Sequence, residues 1–264
     1  METRACSVSG MYYPGDPAHL EQFLEMVFLD AGETDMPDDA LGIVSPHAGY
    51  PYSGAVAARA FAAIPSSFDG TFIVIGPSHE GFMTCASAVP WETPLGIIDT
   101  DAALVEAIGV PVDEGAHAGE HSIEVQMPFI KYRFPRARVA PLMMGDQSME
   151  SAEALAAAVV HATRETGREV RVVASSDFSH YIHMDLARQI DLQAIEALET
   201  LDIPQFYQRI RSLHVSACGY GPIAAMVLAT RGLGATRGHL LSYTTSGDVT
   251  GDPIAVGYAA IAVV

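Results

Sequence analysis

The chain has 264 residues, of which 49% are hydrophobic and 17% charged, a balance that excludes a disordered or fibrous polymer. Thirty-two Asp and Glu stand against 14 Lys and Arg, a formal net charge of −18, so its long-range field repels phosphate backbones and anionic lipid, and nucleic acid is not an expected partner.

Asp16 and Pro17 form a helix-start signal, followed by Leu20, Phe23, Leu24, Val27 and Phe28 at the spacing of a one-sided amphipathic helix. Short apolar or β-branched runs at Leu41–Val44, Thr71–Ile75, Val139–Met144 and Val170–Ala174 read as buried strands. Between and after them, Gly54–Ile64, Asp101–Ile108, Ser122–Tyr132, Ser151–Thr166, Leu186–Leu201 and Pro222–Leu233 read as helices. Leu240–Thr245 and Ile254–Val263 are strand-like runs expected to pair antiparallel across a Gly- and Asp-rich turn. This alternation predicts an α/β fold, a mixed and largely parallel sheet with helices on both faces, as one domain over residues 1–264. The most loop-like stretches are Ala31–Ala40 and Asp113–Glu120. The longest apolar run, Ile254–Val264, falls short of the ~20 residues of a spanning helix, and no leader pattern is present, so a cytoplasmic protein is expected. The same run predicts at most a small homo-oligomer. Cys6, Cys85 and Cys218 are too widely spaced for a disulfide framework or a paired zinc motif.

In open α/β sheets ligands bind beyond the carboxyl ends of the strands, so the residues after each apolar run matter most. Three runs lead into histidines: Ser45-Pro46-His47-Ala48-Gly49-Tyr50, Gly76-Pro77-Ser78-His79-Glu80, and Ser175-Ser176-Asp177-Phe178-Ser179-His180. A lone loop histidine is ordinarily a capping or surface residue, but neighbouring parallel strands lie ~4.8 Å apart, so three such histidines can converge on a metal. Asp177 can orient an imidazole or simply form an Asx turn. Glu120-His121-Ser122-Ile123-Glu124 reads either as a helix-start cap or as a histidine and a glutamate on one face. Cys218, before Gly219-Tyr220-Gly221-Pro222 and a predicted helix, is either a buried small hydrophobe or a thiolate donor favoured by a helix N-terminus. Serine-hydrolase and P-loop signatures are absent, and no strand precedes the G-x-G-x-x-A run at Gly219 to make it a dinucleotide fingerprint.

Taken in order, Pro46-His47-Ala48-Gly49-Tyr50, Gly76-Pro77-Ser78-His79, Glu120-His121-Ser122-Ile123-Glu124, Ser175-Ser176-Asp177-Phe178-Ser179-His180 and Cys218-Gly219 resemble the Memo family, including the Memo-like component B of the AmmeMemoRadiSam system. The likeness runs from Gly10-Met11-Tyr12-Tyr13-Pro14 to the last strand. It implies a fold similar to class III extradiol dioxygenases and a metal bound by His47, His79 and Cys218, with His180 as acid/base beside Asp177. Tyr50, Glu80 and His121 are expected on the substrate side. The implied cofactor is a divalent transition metal, Fe(II) for an oxygen-using enzyme and Cu or Zn otherwise. The implied substrate is a small aromatic or a modified amino acid, and the implied partners are other proteins of that system. A non-catalytic ligand- or partner-binding module and a metal-dependent hydrolase are the alternatives. The sequence departs from human-type Memo at Glu80, where those carry a second histidine, and at Tyr220-Gly221-Pro222, where they carry Arg-His-Pro.

Overall fold

A computed structural model describes residues 3–32 and 39–264; part of the loop expected at Ala31–Ala40 lies outside them. In chain order the elements are α1 (Pro17–Ala31), β1 (Gly42–Ser45), α2 (Tyr50–Ala62), β2 (Thr71–Pro77), β3 (Cys85–Ala86), β4 (Trp91–Thr93), β5 (Gly96–Ile98), α3 (Ala102–Ile108), α4 (Glu114–Ala118), α5 (His121–Glu124) and α6 (Met127–Arg133). They continue with β6 (Arg138–Met144), α7 (Met149–Thr166), β7 (Val170–Ser175), β8 (Ile182–His183), α8 (Met184–Glu199), α9 (Ile203–Ser212), α10 (Tyr220–Gly232), β9 (Gly238–Thr245), α11 (Ser246–Thr250), β10 (Ile254–Ala255) and β11 (Gly257–Val263).

Seven strands form one sheet in the order β3-β6-β2-β7-β1-β11-β9. Its centre, β6-β2-β7-β1, is parallel, and β3, β11 and β9 are added antiparallel. Period-2 alternation sends Ile73 and Ile75 to one core and Phe72 and Val74 to the other. The first core packs under α3, α7, α8, α9 and α10, and the second under α1, α2, α5 and α6. Helices on both faces explain why the central strands are continuous apolar runs. This is the mixed α/β architecture that the sequence predicts.

Three differences have physical causes. The expected helix Ser122–Tyr132 is two pieces, because Pro128 starts α6 and has no N–H to continue the helix of α5. The expected final strand is also two: Ile254 and Ala255 pair with β8, and Gly257–Val263 lies inside the main sheet. All of β11 is buried, so most of the apolar run Ile254–Val264 lies in the core, with Ile254 half exposed. Among the described residues no helix is long and apolar enough to cross a membrane.

The N-terminal segment is held by one buried carboxylate. Glu124 accepts hydrogen bonds from the Arg4 guanidinium, from the backbone N–H groups of Ser7 and Val8, and from the hydroxyls of Ser7 and Tyr13. Burial opposes its ionisation, but Arg4 and these donors hold its pKa below the usual carboxylate value. A depressed folded-state pKa gives stability that is present above the unfolded value of ~4.3 and lost as pH falls through the folded one. Glu124→Gln should therefore cost about 3–5 kcal/mol near neutrality, since Arg4 stays buried without its partner, and the gap from the parent should narrow in acid. Denaturant melts of both proteins at pH 7 and pH 3 check this.

Candidate metal centre

Because β2, β7 and β1 are adjacent and parallel, their carboxyl ends lie at one edge, and the segments after them meet. His47 follows β1 and is 2% exposed; His79 follows β2 and is exposed; His121 opens α5 and is partly buried. The rings of His79 and His121 are stacked at 4.5 Å between centroids, and each lies edge-on to His47 at 5.3 Å. One nitrogen from each of the three lies within 4.8 Å of the others, a group that can hold a metal ion. Two glycines permit this convergence. A Cβ at Gly76 would fall 2.5 Å from Ser122 Oγ, so only glycine lets α5 sit against β2, and a Cβ at Gly219 would fall 2.5 Å from the Ser175 carbonyl oxygen.

The Gly219 approach brings Cys218 Sγ to 3.1 Å from His47 Nε2, while the Asp177 N–H donates to the sulfur at 3.3 Å. Gln147, just past β6, fixes this turn by donating to the Cys218 carbonyl and accepting from the Gly221 N–H. The helix N-terminus does not make Cys218 a ready thiolate. Burial, reinforced by Asp177, pushes the thiol up, so a cation is needed to take its proton's place. Asp177 Oδ1 accepts from the His47 N–H at 2.8 Å, and burial raises its carboxyl to about 6 against that bond. His180, half-buried, donates from its backbone N–H to Ser216 Oγ.

A cavity of about 500 Å³ opens above the imidazoles, lined by His47, His79, His121, Asp177 and His180 together with Tyr12 and Tyr52. The sequence matches the Memo-like protein family over residues 4–262. The chain belongs to the Memo family. It is 44% identical to a MEMO1 family protein of Methanosarcina barkeri, covering 98% of this chain and 99% of that one. It is 42% identical to one of Methanothermobacter thermautotrophicus (97% and 98%) and 38% identical to one of Nitrosopumilus maritimus (96% and 97%).

Of the residues expected as metal ligands from the Memo motifs, His47 and His79 belong to the converging group, whereas Cys218 is not part of it and touches His47 alone of its members; Asp177 and His180 line the cavity above. His121, expected on the substrate side, is the third imidazole of the cluster. Glu80 is exposed beside His79. Tyr50 is 2% exposed, packs against Tyr13, Phe23 and Phe129, and donates its hydroxyl to the Val125 carbonyl, so the aromatic wall comes instead from Tyr12 and Tyr52.

The residues that sequence reading missed are those that orient the imidazoles. Glu120 accepts from the His79 N–H (2.8 Å), His79 Nδ1 (2.9 Å) and the Ser122 N–H (2.9 Å), with His121 Nδ1 at 3.5 Å. Burial opposes its charge, but these donors hold its pKa well below the usual range, so it is an ionised acceptor and His79 carries its proton on Nδ1. For His47 the same conclusion follows from Ser175. The Ser175 hydroxyl donates to the Ser122 carbonyl at 2.6 Å and can only accept from Gln126 Nε2 (2.8 Å) and His47 Nδ1 (2.9 Å). Gln126 Nε2 also donates to the Pro46 carbonyl, which fixes its amide orientation. His47 Nδ1 is thus the protonated nitrogen, and Nε2 keeps its lone pair. Burial, followed by His121 and His79, also drives the His47 pKa well down, which keeps the ring neutral. Ser175→Ala should weaken metal retention about 10–100-fold with the ligands unchanged, whereas Ser175→Thr should preserve it. Competition titrations against a chromophoric chelator measure the difference.

Proposed function

We propose that this chain is a metal-dependent protein of the dioxygenase-like type, holding a soft or borderline divalent ion with His47 and His79, with Cys218 as the sulfur donor and His121 at the same centre. The observation that carries this reading is the convergence of three imidazoles whose donor nitrogens lie within 4.8 Å, with a thiol 3.1 Å from His47 Nε2. The donor set fits such an ion. The Nδ1 protons of His47 and His79 are committed to Ser175 and Glu120, their Nε2 atoms carry the lone pairs, that of His47 facing the Cys218 thiol whose proton an ion would replace, and sulfur with imidazole suits Fe, Cu or Zn over Mg or Ca. When bound, such an ion supplies Lewis acidity and, as Fe(II), a site for dioxygen chemistry.

The chain's own groups divide the remaining work. His180 Nδ1 lies 2.9 Å from the Ser216 carbonyl, which can only accept, so the neutral ring carries its proton on Nδ1 and presents Nε2 as a base. His180 lines the cavity, where that nitrogen can take a proton from a substrate hydroxyl and later return it. Asp177, on the same wall, fixes the His47 backbone through Oδ1. Tyr12, whose ring lies 4.9 Å from that of His121, covers that imidazole.

Anaerobic reconstitution with Fe(II), metal analysis, and oxygen uptake over a panel of catechols and aminophenols test the proposal. His47→Ala should lose both metal and turnover. His180→Ala should keep near-normal metal content while losing about 10²–10⁴ in rate. A His180→Ala protein as empty as His47→Ala would make His180 a ligand and overturn this division. Turnover that proceeds without oxygen would instead assign the centre to metal-assisted hydrolysis.

A further inference from the structure

Four tyrosines line the cavity above the histidines, Tyr258 buried in the core and Tyr12, Tyr52 and Tyr181 reaching solvent. Tyr12, Tyr52, Tyr181 and Tyr258 line it with Met11 and Val256, and no lysine or arginine does. The charge at this place is negative. Asp177 is in the wall, Glu120 is behind His79, and Glu80 is one residue beyond it, so three carboxylates exceed the two positive charges of a divalent ion before any thiolate is counted. The chain as a whole carries −18. An anionic group entering at the mouth meets no lysine or arginine in the lining and a repulsive field.

Tyr181 is a second, independent sign. It is 78% exposed and has φ +56°, the left-handed region that a bulky aromatic residue rarely occupies. Its conformation is imposed from both sides, by His180 anchored on Ser216 and by Ile182 paired with Ala255. A large ring presented to solvent at the rim of the cavity contributes little to the core and leaves it open to contact with a ligand. Phenol rings attract cations to their faces, most strongly when the cation is an alkylated ammonium or guanidinium that sheds water easily.

We infer that the mouth of this pocket recognises an organic cation, an alkylated ammonium or guanidinium group carried by the molecule that reaches the histidines beneath. This rests on reading the cavity as the substrate pocket and adds the charge of the substrate to that reading. The ring faces hold the cationic end and leave the opposite end of the molecule toward the imidazoles.

Choline, its neutral isostere 3,3-dimethylbutan-1-ol and the anionic 3,3-dimethylbutanoate should be titrated calorimetrically into the metal-free and Zn(II)-loaded protein. Choline should bind about tenfold or more tightly than the alcohol, and the carboxylate most weakly. Tyr181→Ala and Tyr12→Leu should each reduce choline affinity about 3–10-fold, while Tyr181→Phe, which keeps the ring, should retain it. Tyr181 is on the surface, and an unchanged melting temperature would show that its variants are folded. Equal affinity for choline and the alcohol, tighter binding of the carboxylate, or no choline binding in either form would overturn the inference. A protein that takes up no zinc yet still prefers choline would fail the metal reading and uphold this one.

Discussion

Glu120 and Glu124 stand one helical turn apart, both almost wholly removed from water, and their compensation organises the ligand-binding end of the molecule. An uncompensated carboxylate at either place would cost several kcal/mol, so each carries a full set of donors. Glu120 collects two backbone N–H groups and the His79 ring, which fixes that imidazole and steers His121. Glu124 collects Arg4, Ser7, Val8 and Tyr13, which ties the N-terminal segment down and carries Met11 and Tyr12 to the cavity mouth. One short stretch of chain therefore orients the candidate ligands and positions part of the wall above them. Removing the charge from Glu124 loosens the wall; removing it from Glu120 frees the imidazoles.

The second organising constraint is steric. Three parallel strands deliver His47, His79 and Asp177 to one edge, but the edge becomes a centre only because α5 and the start of α10 come close to the strand ends. Glycine at positions 76 and 219 permits both approaches, which accounts for the glycine in each of those motifs. Ser175 then joins the layers, since its single hydroxyl connects β7 to α5, to Gln126 and to His47. The result is that His47 and His79 have fixed tautomers beside His121, in a group that can hold a metal ion.

Much of this was legible in the chain itself. Strands buried on both faces are short apolar runs, and the residues that end them, Pro46-His47, Pro77-Ser78-His79 and Asp177-Phe178-Ser179-His180, are visible because they break the run. The order of the strands and the placement of His121 were not legible, since they depend on which runs become neighbours. Ser175 and Gln126 look like ordinary polar residues at an element's end, and their roles arise from the β1–β7 register and from the break before Pro128. Tyr50 misled for a related reason. It stands beside the histidine motif in sequence, but it begins α2 and its ring turns into the core, whereas Tyr52, two residues on, faces the cavity. The β4–β5 ribbon went unread because three-residue strands carry no period, and α9 went unread although Ile203, Phe206, Tyr207 and Ile210 stand at i, i+3, i+4 and i+7 behind the Asp202 cap.

The cavity wall joins the two ends of the chain: Met11 and Tyr12 meet Val256 and Tyr258 across its mouth. The sheet has the same dependence, because β1, an early strand, lies between β7 and β11 and lacks one neighbour until residues 257–263 are in place. Contacts this distant in sequence are slow to form, since a long loop must close before they contribute. The wall above the histidines therefore depends on pairings between residues far apart in the chain, and a change that weakens the β1–β11 pairing would open the cavity from a distance.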